Sequence, residues 1–124
     1  MNPPTVLIVD DEVHMVRLLA LSLKPLNLNL RAAMSGREAL HIIRTEPIDL
    51  ALFDVHMQDI DGLTAVQEIR SHGARRAMPV ILLTGAGESH IEALGRTLGV
   101  QAFFRKPFSP AELAACVRGL LGPR

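Results

Sequence analysis

Thr5-Val-Leu-Ile-Val-Asp-Asp-Glu12 is the stretch whose reading decides the fold. An unbroken apolar run of strand length stops abruptly on Asp10-Asp11. A strand that is apolar on both faces is one covered on both faces, which is the habit of parallel sheets. The arrangement recurs twice: Leu50-Ala-Leu-Phe53 precedes Asp54, and Ala102-Phe-Phe-Arg105 precedes Lys106-Pro107. Parallel strands all end on one edge, so these distant charges converge there, at the edge where open α/β sheets bind their ligands. Three carboxylates and one ammonium in a single crevice suit a divalent cation and a phosphoryl group.

Working outward, the strand candidates are Val6–Val9, Leu28–Ala33, Asp49–Phe53, Val80–Leu83 and Val100–Phe104. Leu28-Asn-Leu30 alternates, as expected of a strand nearer the sheet edge. Helical spacing fills the intervals near 12–24, 36–46, 62–72, 88–98 and 110–121. Lys24-Pro25 ends the first helix, Ser35 suits the N-cap of the second, and Ser109-Pro110 puts a cap before proline at the start of the last. Strict strand–helix alternation with right-handed crossovers predicts an α/β doubly wound parallel sheet, a three-layer (βα)5 sandwich.

The 124 residues fit one domain, read as spanning 1–124. At 48% hydrophobic and zero formal net charge, the chain is neither disordered nor globally attracted to nucleic acid or anionic lipid. Arg75-Arg76 reads as a solvated turn, and aromatic residues to stack on bases are nearly missing, so direct nucleic-acid binding is not expected. No apolar run approaches the roughly 18 residues of a membrane span, and no signal-peptide pattern opens the chain. The expected location is cytoplasmic. Cys116 excludes an internal disulfide and reads as a small buried hydrophobe on the last helix. Gly119 to Arg124 reads as a frayed end or the start of a linker.

Four segments together carry a resemblance. Val9-Asp-Asp-Glu12, the Asp54 segment, Leu82-Leu-Thr84-Gly-Ala86 and Phe104-Arg-Lys106-Pro-Phe108 resemble the receiver domain of two-component response regulators, in order and over essentially the whole chain. The resemblance implies a flavodoxin-like topology of strand order 2-1-3-4-5 with the site at its switch point. It also implies that Asp54 accepts a phosphoryl group from the phosphohistidine of a sensor histidine kinase or phosphotransfer protein. Asp11 and Asp54 would ligate Mg2+ (or Mn2+) directly, Asp10 through water, and the backbone carbonyl of His56 would complete the protein ligands. Lys106, one of two lysines against eleven arginines, would hold a phosphoryl oxygen, its ammonium aimed inward by a cis peptide between Lys106 and Pro107. Thr84 would donate its hydroxyl to the same group, and Phe103 would turn inward as Thr84 moves. Phe104, on the opposite face by alternation, reads as core.

The chain also departs from the family's habit. Gln58 stands where many members carry proline, which leaves loop 55–61 freer. His56 and Ala86 occupy the positions that flank the path of attacking water and give no direction for the lifetime of an aspartyl phosphate. His14, His41, His72 and His90 read as helix-surface residues. The first helix carries two overlapping apolar stripes, Met15/Leu18/Leu19 and Val16/Leu19/Ala20/Leu23, so part of its apolar surface stays exposed for a docking partner. The fourth helix, with Gly95 and Thr97, is marginal alone, and the last exposes Ala114, Ala115 and Arg118. Those two suit a surface that reports phosphorylation to an output partner or domain, or forms a phosphorylation-dependent dimer.

Two rival readings fare worse. A Mg-dependent phosphatase with an aspartyl-phosphate intermediate wants a second acid two residues after the nucleophile, where His56 stands. A nucleotide-binding module wants a glycine- or Ser/Thr-rich loop after the first strand, and Asp10-Asp11-Glu12 repels phosphates without metal. A receiver cut from a larger multidomain regulator remains compatible with every residue above.

Overall fold

The structure is a computed structural model that describes residues 2–71, 73, 77–85 and 87–122. Expectations resting on His72, Arg75-Arg76, Ala86 and the last two residues lie outside the described ones. Strands β1 (Thr5–Val9), β2 (Asn29–Ala33), β3 (Leu50–Asp54), β4 (Val80–Thr84) and β5 (Ala102–Arg105) alternate with helices α1 (Val13–Leu23), α2 (Gly36–Thr45), α3 (Gly62–Ser71), α4 (Ser89–Thr97) and α5 (Pro110–Leu121). All pairings are parallel and the sheet order is β2-β1-β3-β4-β5. The flavodoxin-like expectation holds.

Period-two alternation divides the apolar residues between two cores. Val6, Ile8, Leu50, Leu52, Ile81 and Leu83 pack against Leu19 and Leu23 of α1 and Leu113 and Val117 of α5. Leu7, Val9, Ala51, Phe53 and Leu82 meet α2, α3 and α4 through Ile42, Ile43, Val66, Ile69 and Ile91. β3 and β4 are buried at every position, as their continuous apolar sequence requires. β2 lies at the edge, with Asn29, Arg31 and Ala32 exposed.

Helix ends follow the anticipated chemistry at α2 and α5. Ser35 accepts from Glu38 N at 3.1 Å, and Ser109 accepts from Glu112 N at 3.2 Å with Pro110 opening the helix. α1 ends at Leu23, and Lys24–Leu26 continue as a 3-10 turn. Several details differ from expectation. Asp54 is the last residue of β3 rather than the first after it, and β5 starts two residues later than the apolar run, because the Val100 N–H still closes the turn from α4 on Gly95 O. Ala114 and Cys116 are half-buried against the α1–α5 core, leaving Ala115 and Arg118 as the exposed pair. On α1, Leu19 and Leu23 take the core, while Val13 (52%), Leu18 (42%) and Leu21 (65%) stay exposed.

The loop opposite Gln58 is held rather than loose. Asp59 accepts from the N–H groups of Gly36 and Arg37, at 3.0 and 2.9 Å, and Asp61 caps α3 by accepting from Thr64 N at 2.8 Å. Desolvation pushes the Asp59 carboxyl up, but the amides outweigh it and hold it below the usual range.

Gly95 is the tightest point between α4 and the sheet. A Cβ there would stand 2.7 Å from Cε1 and Cζ of Phe103. Alanine ordinarily stabilises a helix interior by about 1 kcal/mol over glycine. Here the clash wins, since overpacking typically costs about 1–3 kcal/mol. Gly95→Ala therefore lowers the urea midpoint of unfolding despite its better helix propensity, and an unchanged or raised midpoint would show that Phe103 moves aside freely.

Candidate functional site

β1 delivers Asp10 and Asp11, β3 delivers Asp54, and the turn after β5 delivers Lys106. Asp10 extends the β1–β2 ladder, donating its N–H to Ala33 O at 3.2 Å, and its side chain is fully buried. Its Oδ1 accepts from Glu12 N at 3.0 Å. Its Oδ2 has no hydrogen-bond partner and lies 3.8 Å from Lys106 Nζ. Asp54, 3% exposed, accepts from His56 N at 3.1 Å through Oδ1 and from Lys106 Nζ at 2.8 Å through Oδ2. Asp11 is less buried, and its Oδ2 accepts from Gln58 N at 3.3 Å. Carboxylate oxygens of Asp10, Asp11 and Asp54 all lie within 4.8 Å of one another.

Asp11 could have served as an N-cap for α1, but the helix starts later. Glu12 occupies the cap position without a side-chain bond, so Asp11 is free to face the crevice. Lys106 is fixed from behind by its N–H, which donates to Thr84 O at 2.9 Å, and the Lys106–Pro107 peptide is cis, as expected.

The electrostatics follow from burial. Desolvation, helped by the neighbouring Asp54 charge and only partly opposed by the Glu12 N–H and Lys106, pushes Asp10 up to about 6. Burial pulls Lys106 down, but the hydrogen bond and charge of Asp54, with Asp10 and Glu12 behind, outweigh it and raise it above its usual value. A buried carboxylate oxygen without a donor and a triad of acids within one ion's reach fit a hard divalent cation. Thr84, 1% exposed at the end of β4, adds a second orphan, its Oγ1. A buried hydroxyl without an acceptor costs free energy unless something arrives to take its proton.

Phe103 stands apart from this cluster. It pairs in register with Leu82, and its half-buried ring lies under α4 against Gly95, with the Arg96 guanidinium 5.5 Å from its centroid. Phe104 packs on the opposite, α1–α5 face, and is likewise half-buried rather than fully core.

Two participants escape a sequence reading. Gln58 contributes its backbone N–H, which the family's usual proline lacks, so the departure from pattern supplies a donor to Asp11. Glu88, which reads only as a helix start, sends its carboxylate to the Gly85 N–H and to His56 Nε2, 2.5 Å away. The signal for it is slight: an acid in the residue after Gly85-Ala-Gly87. His14, His41 and His90 are exposed on helices as expected.

The family model described as the response regulator receiver domain matches residues 6–118. Among curated relatives, the transcriptional regulatory protein GltR of Pseudomonas aeruginosa is 33% identical over 97% of this chain and 50% of its own length. The alkaline phosphatase synthesis transcriptional regulatory protein PhoP of Bacillus subtilis is 34% identical over 94% of this chain and 48% of its own. The chain thus spans about half the length of the curated relatives it matches. A crystal structure of a CheY-like response regulator receiver domain protein from Methanospirillum hungatei superposes with a TM-score of 0.87 at 26% identity, covering 97% of this chain and 94% of that one. Among the described residues, no helix is long and apolar enough to cross a membrane.

Burial of Asp10 has a measurable cost. The folded chain binds the Asp10 proton up to about pH 6, whereas an ordinary aspartate releases it near 3.8. The folded state therefore holds more protons between those values, and stability falls as pH rises through that window. Asp10→Asn, measured by denaturant unfolding without divalent metal, gains about 1–3 kcal/mol at pH 7 over the parent. The gain shrinks towards pH 4. A pH-independent difference would contradict this assignment.

Proposed function

The chain belongs to the response regulator receiver family of two-component systems, and from that premise we propose that Asp54 is its phosphoacceptor and the cluster around it the switch that reports the modification. The observation that carries this reading is the Lys106 Nζ contact at 2.8 Å to Asp54, beside a carboxylate triad and under an unpartnered Thr84 hydroxyl. An Asp54 oxygen attacks the phosphorus of a phosphohistidine in a sensor histidine kinase or phosphotransfer protein. The new O–P bond forms as the donor's N–P bond breaks, and the leaving imidazole keeps the electron pair. Lys106 then exchanges its contact with Asp54 for one with a phosphoryl oxygen, supplying a compact positive charge.

Asp11 and Asp54 directly, Asp10 through water, and the His56 carbonyl are the residues that would hold Mg2+ or Mn2+. When bound, the cation offsets the negative charge of nucleophile and phosphoryl group together. Thr84 Oγ1 finds its missing acceptor on the phosphoryl group, and Phe103 follows it further inward beneath α4. The α4–β5–α5 surface, where Glu92 joins Arg96 and Arg105 at 3.5 and 3.2 Å, is then the face an output partner or domain, or a second copy of the chain, would read. We assign the chain no turnover of a separate substrate beyond its own phosphorylation and dephosphorylation. Residues 1–124 form one receiver unit, working in the cytoplasm.

Mass spectrometry after incubation with acetyl phosphate and magnesium tests the assignment. The parent gains about 80 Da, one phosphoryl group. Asp54→Ala gains nothing, and Lys106→Ala labels about 10²-fold more slowly. A persistent adduct on Asp54→Ala would move the acceptor elsewhere. Sustained release of product from an aryl phosphate in excess over protein would restore the phosphatase reading.

A further inference from the structure

Glu88 is held on two sides by groups that flank the site. Its Oε1 accepts from the N–H of Gly85, the residue directly after Thr84, and its Oε2 meets His56 Nε2 at 2.5 Å. The seat is shaped for it. A Cβ on Gly85 would stand 3.0 Å from that Oε1, and Gly87, at φ +77°, turns the chain back so that Glu88 reaches. The Glu88 side chain is 13% exposed, and the imidazole covering it 68%. His56 in turn donates its backbone N–H to Asp54. A single carboxylate thus ties the loop after β4 to the loop after β3. Glu88 also occupies the cap position of α4, yet it makes no side-chain bond to that helix, and only its carbonyl engages Ile91 N and Glu92 N.

These contacts oppose the motion the site needs. Thr84 Oγ1 has no partner, and its engagement by a phosphoryl group on Asp54 would draw the end of β4 towards β3 and carry Gly85 with it. That shift draws the Gly85 N–H away from Glu88, while the phosphoryl oxygens offer a competing acceptor. We propose that Glu88 is a latch: its carboxylate holds the Gly85 N–H and the His56 ring in the unmodified chain, and it lets go of both when Thr84 engages the phosphoryl group. This rests on the reading of Asp54 as phosphoacceptor. Glu88 is a positioning residue, and its effect on affinity is the fraction of chains already unlatched.

The test is the magnesium-dependent affinity for beryllofluoride, a phosphoryl mimic, followed by amide NMR titration. Glu88→Ala binds about five- to tenfold tighter than the parent. Glu88→Gln, which keeps an acceptor for Gly85 but weakens the contact with His56, falls between. His56→Ala also tightens binding, and the double variant binds no tighter than Glu88→Ala alone, because both changes open one latch. A carboxylate acting only through its field on an incoming anion predicts no tightening for His56→Ala, since the Glu88 charge stays in place. Unchanged or weaker binding by His56→Ala, or equal affinity of the parent and Glu88→Ala, overturns the latch alone. Absence of binding by the parent and by every variant overturns the phosphoacceptor reading and the latch with it.

Discussion

An imbalance of charge governs the carboxyl edge of this sheet. The Lys106 ammonium sits 2.8 Å from Asp54 and 3.8 Å from Asp10, and the three clustered carboxylates outnumber it. A close pair in partly buried surroundings is worth about 4 kcal/mol. Withdrawing each ion from water costs several kcal/mol, so one ammonium shared by the buried Asp10 and Asp54 leaves a deficit, to which the more exposed Asp11 adds. The residue that bears the deficit is Asp10, fully buried, with one oxygen lacking any donor and its carboxyl raised to about 6. The site is therefore folded but electrostatically incomplete, which suits the cation and phosphoryl group proposed for it.

The fold that enforces this imbalance was legible because two independent signals agreed. Apolar runs such as Thr5–Val9 and Val80–Thr84 can lie only between two layers of helices, and charges directly after them can lie only on one edge. Asp54 and Lys106 are 52 residues apart in sequence, and their contact follows from topology alone. What stayed hidden depends on loop paths. The Gln58 N–H belongs to every residue but proline, and its aim at Asp11 is set by how loop 55–61 is pinned through Asp59 and Asp61. Glu88 folds back on Gly85 instead of capping its own helix, a choice that no periodicity encodes. Arg70 on α3 is a similar case: it binds the carbonyls of Leu98, Met78 and Gly99, at 2.8, 2.7 and 3.0 Å, gathering the start of β4 and the turn before β5.

Packing also bears on the responsive role proposed for α4. It is the shortest α-helix described, at nine residues, its N-terminus has no side-chain cap, and Gly95 lowers its intrinsic helix propensity. Ile91 and Gly95 are its buried positions, whereas α2 buries five. Gly95 cannot be exchanged for a better helix former without striking Phe103, so the weakness of the helix and the close seating of the ring share one cause. Elements that shift between states are drawn from the least stable parts of a fold.

The charge imbalance and the weak helix meet at Thr84. Its carbonyl holds the Lys106 N–H, its hydroxyl is unpaired, and the next N–H in the chain is taken by Glu88 at the head of α4. Lys106 is thereby fixed through the same residue whose side chain lacks a partner. In the proposed switch, neutralising charge at Asp54 and giving Thr84 an acceptor are consequently one event seen from two strands. Because β4 is buried along its whole length, a displacement of Thr84 in the proposed switch would be taken up beyond the strand, at Gly85, Glu88 and the first turn of α4.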